Sequence, residues 1–389
     1  MKKIVFIETW TNPIYVRFAN EFAVQFPEYA VYFVTDAESL GKNALDTLSP
    51  KVRVIGLQNI KLARKLAFLP LYLASLVSKR AKNLYADTIY LPLYKDLEKT
   101  LDAIEPDIIQ SNVLLMPFTM QAGRYARKRN IPYILRTEEQ HVGSWLRGKL
   151  IAAATILNRK GIRHASYVLP WTVHGVDFVH SRFPPARKKI VLLPAGVDTT
   201  LFTPKKAYST KTTIQLLTVQ RFVPYKDYPT LLAGLRKALD AGAQLHLSIV
   251  GSGPMEAEIH ALIKTLRLHK HVTFLSGVSY EQMPKLLQRY DALVHTGRHE
   301  AIGMVVPEAM ACGVPAVVCD SAGAVTYIAK STGILFKTGD ADDLAHALQS
   351  LSQAKIAKLG KQAAKTIKTK YSTQAIVREY GKLVRSIAS

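Results

Sequence analysis

The sequence is poor in cysteine. Its 389 residues include two cysteines, Cys312 and Cys319. So few thiols exclude a small disulfide-stabilised scaffold and are typical of a protein from a reducing compartment. The six residues that separate the two do not match a metal-binding spacing. Both stand among apolar neighbours, and we interpret them as small buried side chains.

Long apolar runs are also missing. The longest, residues 66–77, has twelve residues and contains Pro70, whereas a helix that spans a bilayer needs about 20 apolar residues. The first residues, MKKIVFIETW, have four consecutive apolar positions, too few for the apolar segment of a secretory signal peptide. We therefore expect a cytoplasmic protein that is not integral to the membrane.

Acidic residues are scarce relative to basic ones. The chain has 52 Lys and Arg against 29 Asp and Glu, a net charge of +23. This balance favours a polyanionic partner, either nucleic acid or an anionic membrane surface. The sequence has no zinc-finger, RNA-recognition or helix-turn-helix signature, so we expect no nucleic acid.

Basic residues flank two apolar stretches, residues 66–77 and residues 150–157. The flanking residues are Lys61, Arg64, Lys65, Lys79, Arg80 and Lys82 for the first stretch, and Trp145, Arg147, Lys149, Arg159, Lys160 and Arg163 for the second. Each stretch has two interpretations: a helix that lies in an anionic membrane interface, or a core helix with a solvated basic face. For residues 152–157 we favour the core interpretation.

The pattern of apolar segments predicts an α/β fold with two domains. Short buried strands alternate with helices through residues 4–193, which predicts a parallel sheet covered by helices on both faces. Residues 194–212 contain no periodic segment and are interpreted as a linker. The alternation then restarts. We predict an N-terminal domain at 1–200, a C-terminal domain at 201–370 and a final helix at 371–389.

Residues 290–320 contain the most informative pattern in the chain. An apolar strand ends in a polar turn, a short helix follows, and a second apolar strand begins after Gly313. Glu300 and Glu308 lie eight residues apart, one at the turn and one in the helix. Ligands of open α/β sheets bind where the strands end, and backbone amides at a helix start attract anions. The candidate amides belong to Ala301, Ile302, Gly303 and Met304.

The pattern of Glu300, seven residues and Glu308, followed by Ala-Met-Ala-Cys-Gly-Val-Pro, resembles the donor-site signature of the family 4 retaining glycosyltransferases. This resemblance implies the GT-B fold, with two Rossmann-like domains, a deep interdomain cleft and a last helix that crosses back to the N-terminal domain. It also implies a retaining hexosyl transfer from a UDP- or GDP-linked sugar, which the C-terminal domain holds, to an acceptor on the N-terminal domain.

The same resemblance implies roles for several further residues. Arg221 and Lys226 follow a predicted strand and stand where the family neutralises the diphosphate, a role that cationic side chains can perform without a metal. Glu308 would bind the ribose and Glu300 the sugar. Gly251 and Gly253, before Pro254, match the family's tight turn beneath the base. The third glycine of a dinucleotide fingerprint is missing, because that position is Glu256. We expect no cofactor and no metal.

The N-terminal half departs from the family pattern. The glycine-rich loop expected after the first strand is replaced by the segment from Glu8 to Pro13. The histidine often found after the strand at residues 132–135 is replaced by Glu138, in the sequence RTEEQH. Glu138, Glu139 or His141 therefore either faces the acceptor, with Glu138 in a catalytic role, or caps the helix that follows.

The second half departs at one place. After Asp320 the family usually shows two glycines and a glutamate, whereas residues 321–326 contain one glycine and no glutamate. These departures concern the acceptor and the details of catalysis.

The sequence thus predicts a cytoplasmic glycosyltransferase that acts on a lipid-linked or cell-envelope glycan, with peripheral contact at the cytoplasmic face of the membrane. Two alternatives remain. One is a nucleotide-sugar epimerase with the GT-B architecture. The other is a non-catalytic binder of membranes or nucleic acid built on a lapsed transferase.

Overall fold

This computed structural model describes residues 1–8, 13–39, 48–59, 93–114, 116–138, 158–298 and 300–388. The chain divides into two compact units. The first comprises Met1–Trp171, Val176–Leu193 and Val377–Ser389, and the second comprises Thr172–Gly175 and Pro194–Ile376. The apolar stretch at residues 66–77 with its basic neighbours lies outside the described residues, as do Glu139, His141 and most of the second basic stretch.

The first unit is built on a six-stranded parallel sheet. Its strands are β1 (Lys2–Ile7), β2 (Tyr29–Asp36), β3 (Val52–Leu57), β4 (Ile108–Ser111), β5 (Tyr133–Thr137) and β6 (Tyr167–Pro170), in the order β3-β2-β1-β4-β5-β6. The strand order reverses between β1 and β4, and this is where the carboxyl ends of parallel strands open a crevice. Mostly apolar strands of this kind are buried on both faces of the sheet.

Helices connect these strands. They are α1 (Pro13–Gln25), α2 (Leu97–Ile104), α3 (Pro117–Arg129) and α4 (Val173–Arg182). Residues 158–164 are also helical, with Ile162 buried and Arg159, Lys160 and Arg163 exposed. At this point the structure agrees with a core helix that has a solvated basic face.

The last helix of the chain, α11 (Thr373–Ile387), packs on the first sheet. The ring of Tyr380 lies 5.0 Å from that of Phe18 and 5.6 Å from that of Phe22. A Cβ atom at Gly381 would lie 1.8 Å from the ring of Phe26, so only glycine permits this approach. The return of the chain's last helix to the N-terminal unit, which the resemblance implied, is therefore present.

The second unit contains another six-stranded parallel sheet. Its strands are β7 (Ile214–Val219), β8 (Leu245–Val250), β9 (Val272–Leu275), β10 (Ala292–His295), β11 (Ala316–Cys319) and β12 (Gly333–Phe336), in the order β12-β11-β10-β7-β8-β9. The helices are α5 (Tyr228–Asp240), α6 (Glu256–Thr265), α7 (Met283–Leu287), α8 (Val305–Ala311), α9 (Ala341–Gln349) and α10 (Gln353–Thr366). The predicted α/β architecture is confirmed in both halves.

The segment interpreted as a linker is instead a packed part of the second unit. Ala195 and Val197 are buried, and Phe202 is 1% exposed. Val197 forms a parallel bridge with Ser372, and the Tyr327 hydroxyl donates a hydrogen bond to the Ala195 carbonyl at 2.9 Å. The strand predicted at residues 190–193 is reduced to a single bridge from Ile190 to β6. Isolated contacts of this kind leave no periodic pattern in the sequence.

Candidate functional site

Three polar side chains meet at the carboxyl edge of the second sheet. Lys226 follows β7 in a short 3₁₀ turn, His295 is the last residue of β10, and Glu300 lies in the loop before α8. The Lys226 Nζ lies 2.5 Å from the Glu300 Oε1, and the His295 Nε2 lies 2.6 Å from the Glu300 Oε2. Because β7 and β10 are neighbours in the sheet, residues 74 positions apart in the sequence come together here.

The surroundings of Glu300 hold its carboxylate in the ionised form. Burial alone raises the pKa of this group, but His295 and Lys226 outweigh it and lower the pKa to about 2. The Lys226 side chain is 6% exposed and that of His295 is 1% exposed. A buried charge such as that of Lys226 persists only when paired and hydrogen-bonded. The site is therefore a preformed charged cluster, in which Lys226 already has a counterion.

Two glycines allow the loop to close around this cluster. A Cβ atom at Gly297 would lie 2.8 Å from the Glu300 Oε2 and 3.0 Å from the His295 Nε2. Gly303 has a φ of +71°, a conformation that favours glycine, and a Cβ atom there would lie 3.2 Å from the same histidine nitrogen. The backbone fits the cluster so tightly that neither position accommodates a side chain without a shift.

The predicted helix start lies further along the chain than the sequence indicated. Helix α8 begins at Val305, with Met304 as its N-cap residue. The amides of Ala301, Ile302 and Gly303 therefore precede the helix and do not form its first turn. The loop is held by a hydrogen bond from the Gly323 amide to the Glu300 carbonyl at 2.9 Å.

Glu308 lies in α8 and is 7% exposed. The Tyr280 hydroxyl donates a hydrogen bond to its Oε1 at 3.0 Å. The ring of Tyr280 packs edge-on against Phe202 at 5.4 Å. Sequence analysis did not predict a role for Tyr280, because this residue lies 28 residues before Glu308. The hydrogen bond from Tyr280 orients the Glu308 carboxylate. The predicted binding of two ribose hydroxyl groups requires such an orientation.

The glycine turn after β8 packs against the chain that carries Arg221. A Cβ atom at Gly251 would lie 2.0 Å from the Gln220 carbonyl oxygen. Gly253 has a φ of +150°, and a Cβ atom there would lie 2.6 Å from the Phe222 carbonyl oxygen. Both glycines are required by close backbone approach. Helix α6 then begins at Glu256.

The two arginines near the cluster differ in their partners. Arg221 is exposed, and its Nη2 donates a hydrogen bond to the Tyr225 hydroxyl. The Lys226 Nζ lies 5.5 Å from the centroid of the same ring, so Tyr225 lies close to both cations. Arg298 donates from Nε and Nη2 to the Asp227 Oδ2, each at 2.6 Å. We interpret the Arg298–Asp227 pair as a support for the turn that carries Lys226.

A second polar cluster occupies the carboxyl edge of the first sheet. Glu8 follows β1 and is 2% exposed, and Asn112 follows β4 and donates a hydrogen bond from Nδ2 to the Glu8 Oε1. The Glu8 Oε2 has no hydrogen-bond partner among the residues that the structure describes. Burial raises the pKa of Glu8 to about 8, although Asn112 and Arg136 act in the opposite direction.

Glu138 lies at the same edge, directly after β5. The Tyr15 hydroxyl donates a hydrogen bond to its Oε1 at 3.2 Å. Burial raises the pKa of Glu138, although Tyr15 and Arg136 oppose the shift. The Arg136 guanidinium carbon lies 4.3 Å from the ring centroid of Phe18. Sequence analysis predicted a role for Glu138. In the structure this residue lies beside Tyr15 and Arg136, for which no role was predicted.

The residues missed by sequence analysis share a recognisable position. Glu8 directly follows a buried apolar strand and His295 ends one. A polar residue at the end of such a strand is the signal that could have identified both.

No group of three or more His, Cys, Asp or Glu side chains among the described residues is arranged to hold a metal ion. None of the helices in the described part of the chain has the length and apolar character that crossing a bilayer requires. The expectation of metal-free chemistry stays a prediction.

Solved structures of similar fold identify the fold class of this chain. A sucrose-phosphate synthase from Thermosynechococcus elongatus is similar over 100% of this chain and 99% of its own, with a TM-score of 0.71 and 21% identity. Anabaena HepE, solved in complex with UDP, is similar over 99% of this chain and 100% of its own, with a TM-score of 0.74 and 18% identity. The fold is that of the GT-B class, as the resemblance implied.

The sequence of the second half matches a family model. Residues 202–371 match the model described as Glycosyl transferases group 1. The match covers 170 of the 389 residues and includes the Lys226–His295–Glu300 cluster. It confirms the resemblance over these residues. Membership of family 4 and retention of configuration stay predictions.

Curated relatives align with only part of the chain. A GDP-mannose-dependent monoacylated alpha-(1-6)-phosphatidylinositol monomannoside mannosyltransferase from Corynebacterium glutamicum is 31% identical over 176 residues, which are 41% of this chain and 46% of the relative. A putative colanic acid biosynthesis glycosyltransferase, WcaL, from Escherichia coli is 26% identical over 52% of each chain. The chain thus spans about half the length of these two relatives.

Proposed function

We propose that this protein transfers a sugar from a UDP- or GDP-linked donor to a hydroxyl group of a lipid-linked or cell-envelope glycan, with retention of the anomeric configuration. The observation that carries the proposal is the cluster in which Glu300 contacts Lys226 and His295. It lies at the sheet edge where open α/β folds bind ligands, within the residues that match the transferase family.

The cationic side chains of Lys226 and Arg221 suit the chemistry of the leaving group, which is a diphosphate. When the bond between the sugar C1 and the phosphate oxygen breaks, negative charge develops on the diphosphate. Lys226, with Arg221 beside Tyr225, stabilises that charge most strongly in the transition state, which is the condition for faster turnover. Lys226 is buried and fixed by Glu300. It therefore loses little side-chain freedom when a phosphate arrives.

The two glutamates bind hydroxyl groups. Glu300 is ionised, and an ionised carboxylate accepts strong hydrogen bonds from sugar hydroxyls. Glu308 accepts a hydrogen bond from Tyr280 on Oε1, and a carboxylate can accept several hydrogen bonds at once, including those from ribose hydroxyls. Gly251 and Gly253 form the turn that supports the base.

Retention is proposed to follow from attack on the face of the sugar that the diphosphate leaves. The acceptor oxygen forms a bond to C1 while the bond from C1 to the phosphate oxygen breaks. The acceptor proton passes to the departing phosphate, so charge and atoms balance. No protein nucleophile takes part in this scheme, and Lys226 and Glu300 act by charge and position.

The acceptor is proposed to bind to the first unit, at the cytoplasmic face of a membrane. Relatives from Corynebacterium and Mycobacterium are named as phosphatidylinositol monomannoside mannosyltransferases, and their names suggest a glycolipid acceptor for this chain. Glu8, Asn112, Tyr15 and Glu138 supply hydrogen-bonding groups at the first sheet's carboxyl edge. Glu138 is the proposed catalytic contact on this side.

The test measures donor consumption with and without acceptor. Purified protein is incubated with radiolabelled UDP-glucose, UDP-N-acetylglucosamine or GDP-mannose, with phosphatidylinositol, lipid-linked glycans or buffer alone. We expect labelled product only when an acceptor is present. NMR of this product should show the anomeric configuration of the donor. Epimerised or free sugar formed equally without an acceptor would indicate an epimerase. No turnover and no nucleotide binding would indicate a non-catalytic binder.

A further inference from the structure

The second unit carries a basic groove away from the proposed donor site. The groove has a volume of about 660 Å³ and lies between the segment at residues 204–208 and helix α10 with the turn that follows it. Ala207, Ala357 and Ala364 are part of its apolar lining. Its basic residues are Lys205, Lys206, Lys361, Lys365 and Lys368.

Close packing fixes the two walls of the groove relative to each other. A Cβ atom at Gly360 would lie 2.7 Å from the Tyr208 hydroxyl oxygen and 2.2 Å from the Gly313 carbonyl oxygen. The Lys205 Nζ donates a hydrogen bond to the Tyr290 carbonyl at 2.6 Å. Lys205 is thus held in place by this packing, whereas Lys206, Lys361 and Lys365 are exposed.

The lysines of the α10 wall lie along one face. Lys358, Lys361, Lys365 and Lys368 are spaced by three, four and three residues, which places them on the same side of a helix. The opposite side is buried and includes Ile356, Leu359 and Ala363. We call the four lysines the lysine face.

The lysine face lacks acidic neighbours. No aspartate or glutamate occurs in the sequence between Asp343 and Glu379. In the part of the chain that the structure describes, none of the four lysines forms an ion pair, whereas Lys237 pairs with Asp342 and Lys382 with Glu379. Clusters of four to eight cationic residues without counterions are typical of surfaces that bind anionic lipids.

We propose that the lysine face, together with the groove beside it, docks on the anionic phospholipid headgroups of a membrane. Lysine ammonium groups bind phosphate as compact point charges. The apolar lining of the groove, which includes Ala207, Ala357 and Ala364, suits the acyl region directly below a headgroup. Single-stranded nucleic acid would need exposed aromatic rings for stacking, and the only aromatic lining residue, Tyr208, is half-buried between the walls.

The membrane role of the lysine face rests on the proposed function. The lysine face would be the surface through which an enzyme that acts on glycolipids binds the membrane. It rests on residues remote in sequence from Lys226, Glu300 and Glu308. Vesicle binding and nucleotide binding are therefore separate measurements, and failure of one does not decide the other.

The test compares two triple variants of the full chain by vesicle co-sedimentation. One removes Lys361, Lys365 and Lys368 by substitution with glutamine. The matched control removes Lys264, Arg267 and Lys270, three exposed cations of the same unit near its other sheet edge. Vesicles contain phosphatidylcholine with or without one third phosphatidylglycerol. Each lysine near such a surface strengthens binding by about fivefold, so the first variant should bind about 100-fold more weakly than the wild type.

The control variant should bind anionic vesicles within about fivefold of the wild type, and no protein should bind pure phosphatidylcholine. Equal losses in the two variants would overturn the proposal, because net charge alone would then explain binding. Absence of wild-type binding to anionic vesicles would also overturn it. The proposal would also be overturned if the wild type bound an oligonucleotide more tightly than anionic vesicles and only the variant at Lys361, Lys365 and Lys368 lost that binding. The nucleotide-induced thermal shift of each variant shows whether its donor site is intact.

Discussion

At the carboxyl edges of the two sheets, the pKa values of two glutamates are shifted in opposite directions. In the second unit, Glu300 contacts Lys226 and His295 and has its pKa lowered to about 2. In the first unit, Glu8 accepts a hydrogen bond from the neutral amide of Asn112, and burial raises its pKa to about 8. The carboxyl edge of the sheet thus carries an ionised glutamate in the second unit and a protonated one in the first.

The difference lies in the partners of the carboxyl groups. A buried carboxylate stays ionised only if a cation is placed against it. In the second unit the cation is Lys226. In the first unit Arg136 lies over the rings of Phe18 and Trp171, and burial outweighs its effect on the pKa of Glu8. An ionised cluster suits a nucleoside diphosphate, and a protonated Glu8 suits the hydroxyl groups of an uncharged acceptor.

The largest effect is expected at Glu300. Glu300→Gln removes the charge that Lys226 and His295 share, so the diphosphate site loses its fixed geometry. We expect kcat to fall by about 100-fold to 1000-fold, the range seen when one preorganised electrostatic contact is lost. Steady-state assays of sugar transfer measure the change.

The matched control is Glu98→Gln, which removes an exposed carboxylate that lies 3.8 Å from Lys128 in the first unit. It should leave kcat unchanged. Equal activity of the wild type and Glu300→Gln would contradict the role of the cluster and remove the contrast between the two edges.

The second effect concerns stability and pH. Glu8 is protonated in the folded protein up to about pH 8, whereas in the unfolded chain it ionises near its ordinary pKa of 4.5. Between these values the unfolded state binds fewer protons, so this group makes stability fall as pH rises, by at most about 1.4 kcal/mol per pH unit. Glu8→Gln should remove that contribution.

Urea unfolding at pH 5, 6.5 and 8 checks this prediction. The gain in stability of Glu8→Gln over the wild type should be smallest at pH 5 and largest at pH 8. Asn112→Ala is a useful companion variant, since it removes the donor to Glu8 while leaving the carboxyl group. A Glu8→Gln variant that loses stability as pH rises relative to the wild type would show that Glu8 is ionised when folded.

The smallest effect is expected at Glu138. If this group works as a hydrogen-bonding contact, Glu138→Gln keeps an acceptor for the Tyr15 hydroxyl and changes kcat by less than about fivefold, the value of one neutral hydrogen bond. Glu138→Ala should have the larger effect of the two, measured by the same transfer assay. A loss of about 100-fold or more in Glu138→Gln would instead identify an ionised general base.

The sequence predicted the parts of this protein that repeat a local pattern. The alternation of apolar strands and helices identified both sheets, and the run from Glu300 through Pro315 indicated the family whose model residues 202–371 match. Contacts between distant segments were less visible. The 74-residue separation of Lys226 and Glu300 is closed by the pairing of β7 with β10, so their ion pair could not be deduced from spacing.

The errors have physical causes as well. Residues 194–212 are irregular and pack through single contacts such as the Val197–Ser372 bridge, and a search for periodicity therefore interprets them as a linker. Helix α8 begins at Val305 because the preceding loop has to close around Glu300, with Gly303 in a conformation of positive φ. A requirement of the site thus shortens the helix.

We propose that the second unit binds a nucleoside diphosphate at the edge that carries Lys226, Glu300 and Glu308. Thermal unfolding of the wild type, Lys226→Ala and Glu308→Ala with UDP, GDP or ADP measures this binding. One nucleotide should stabilise the wild type, by about 2.7 kcal/mol at a concentration 100 times its Kd, and neither variant should respond. Equal shifts in all three proteins, or no shift with any nucleotide, would contradict the claim.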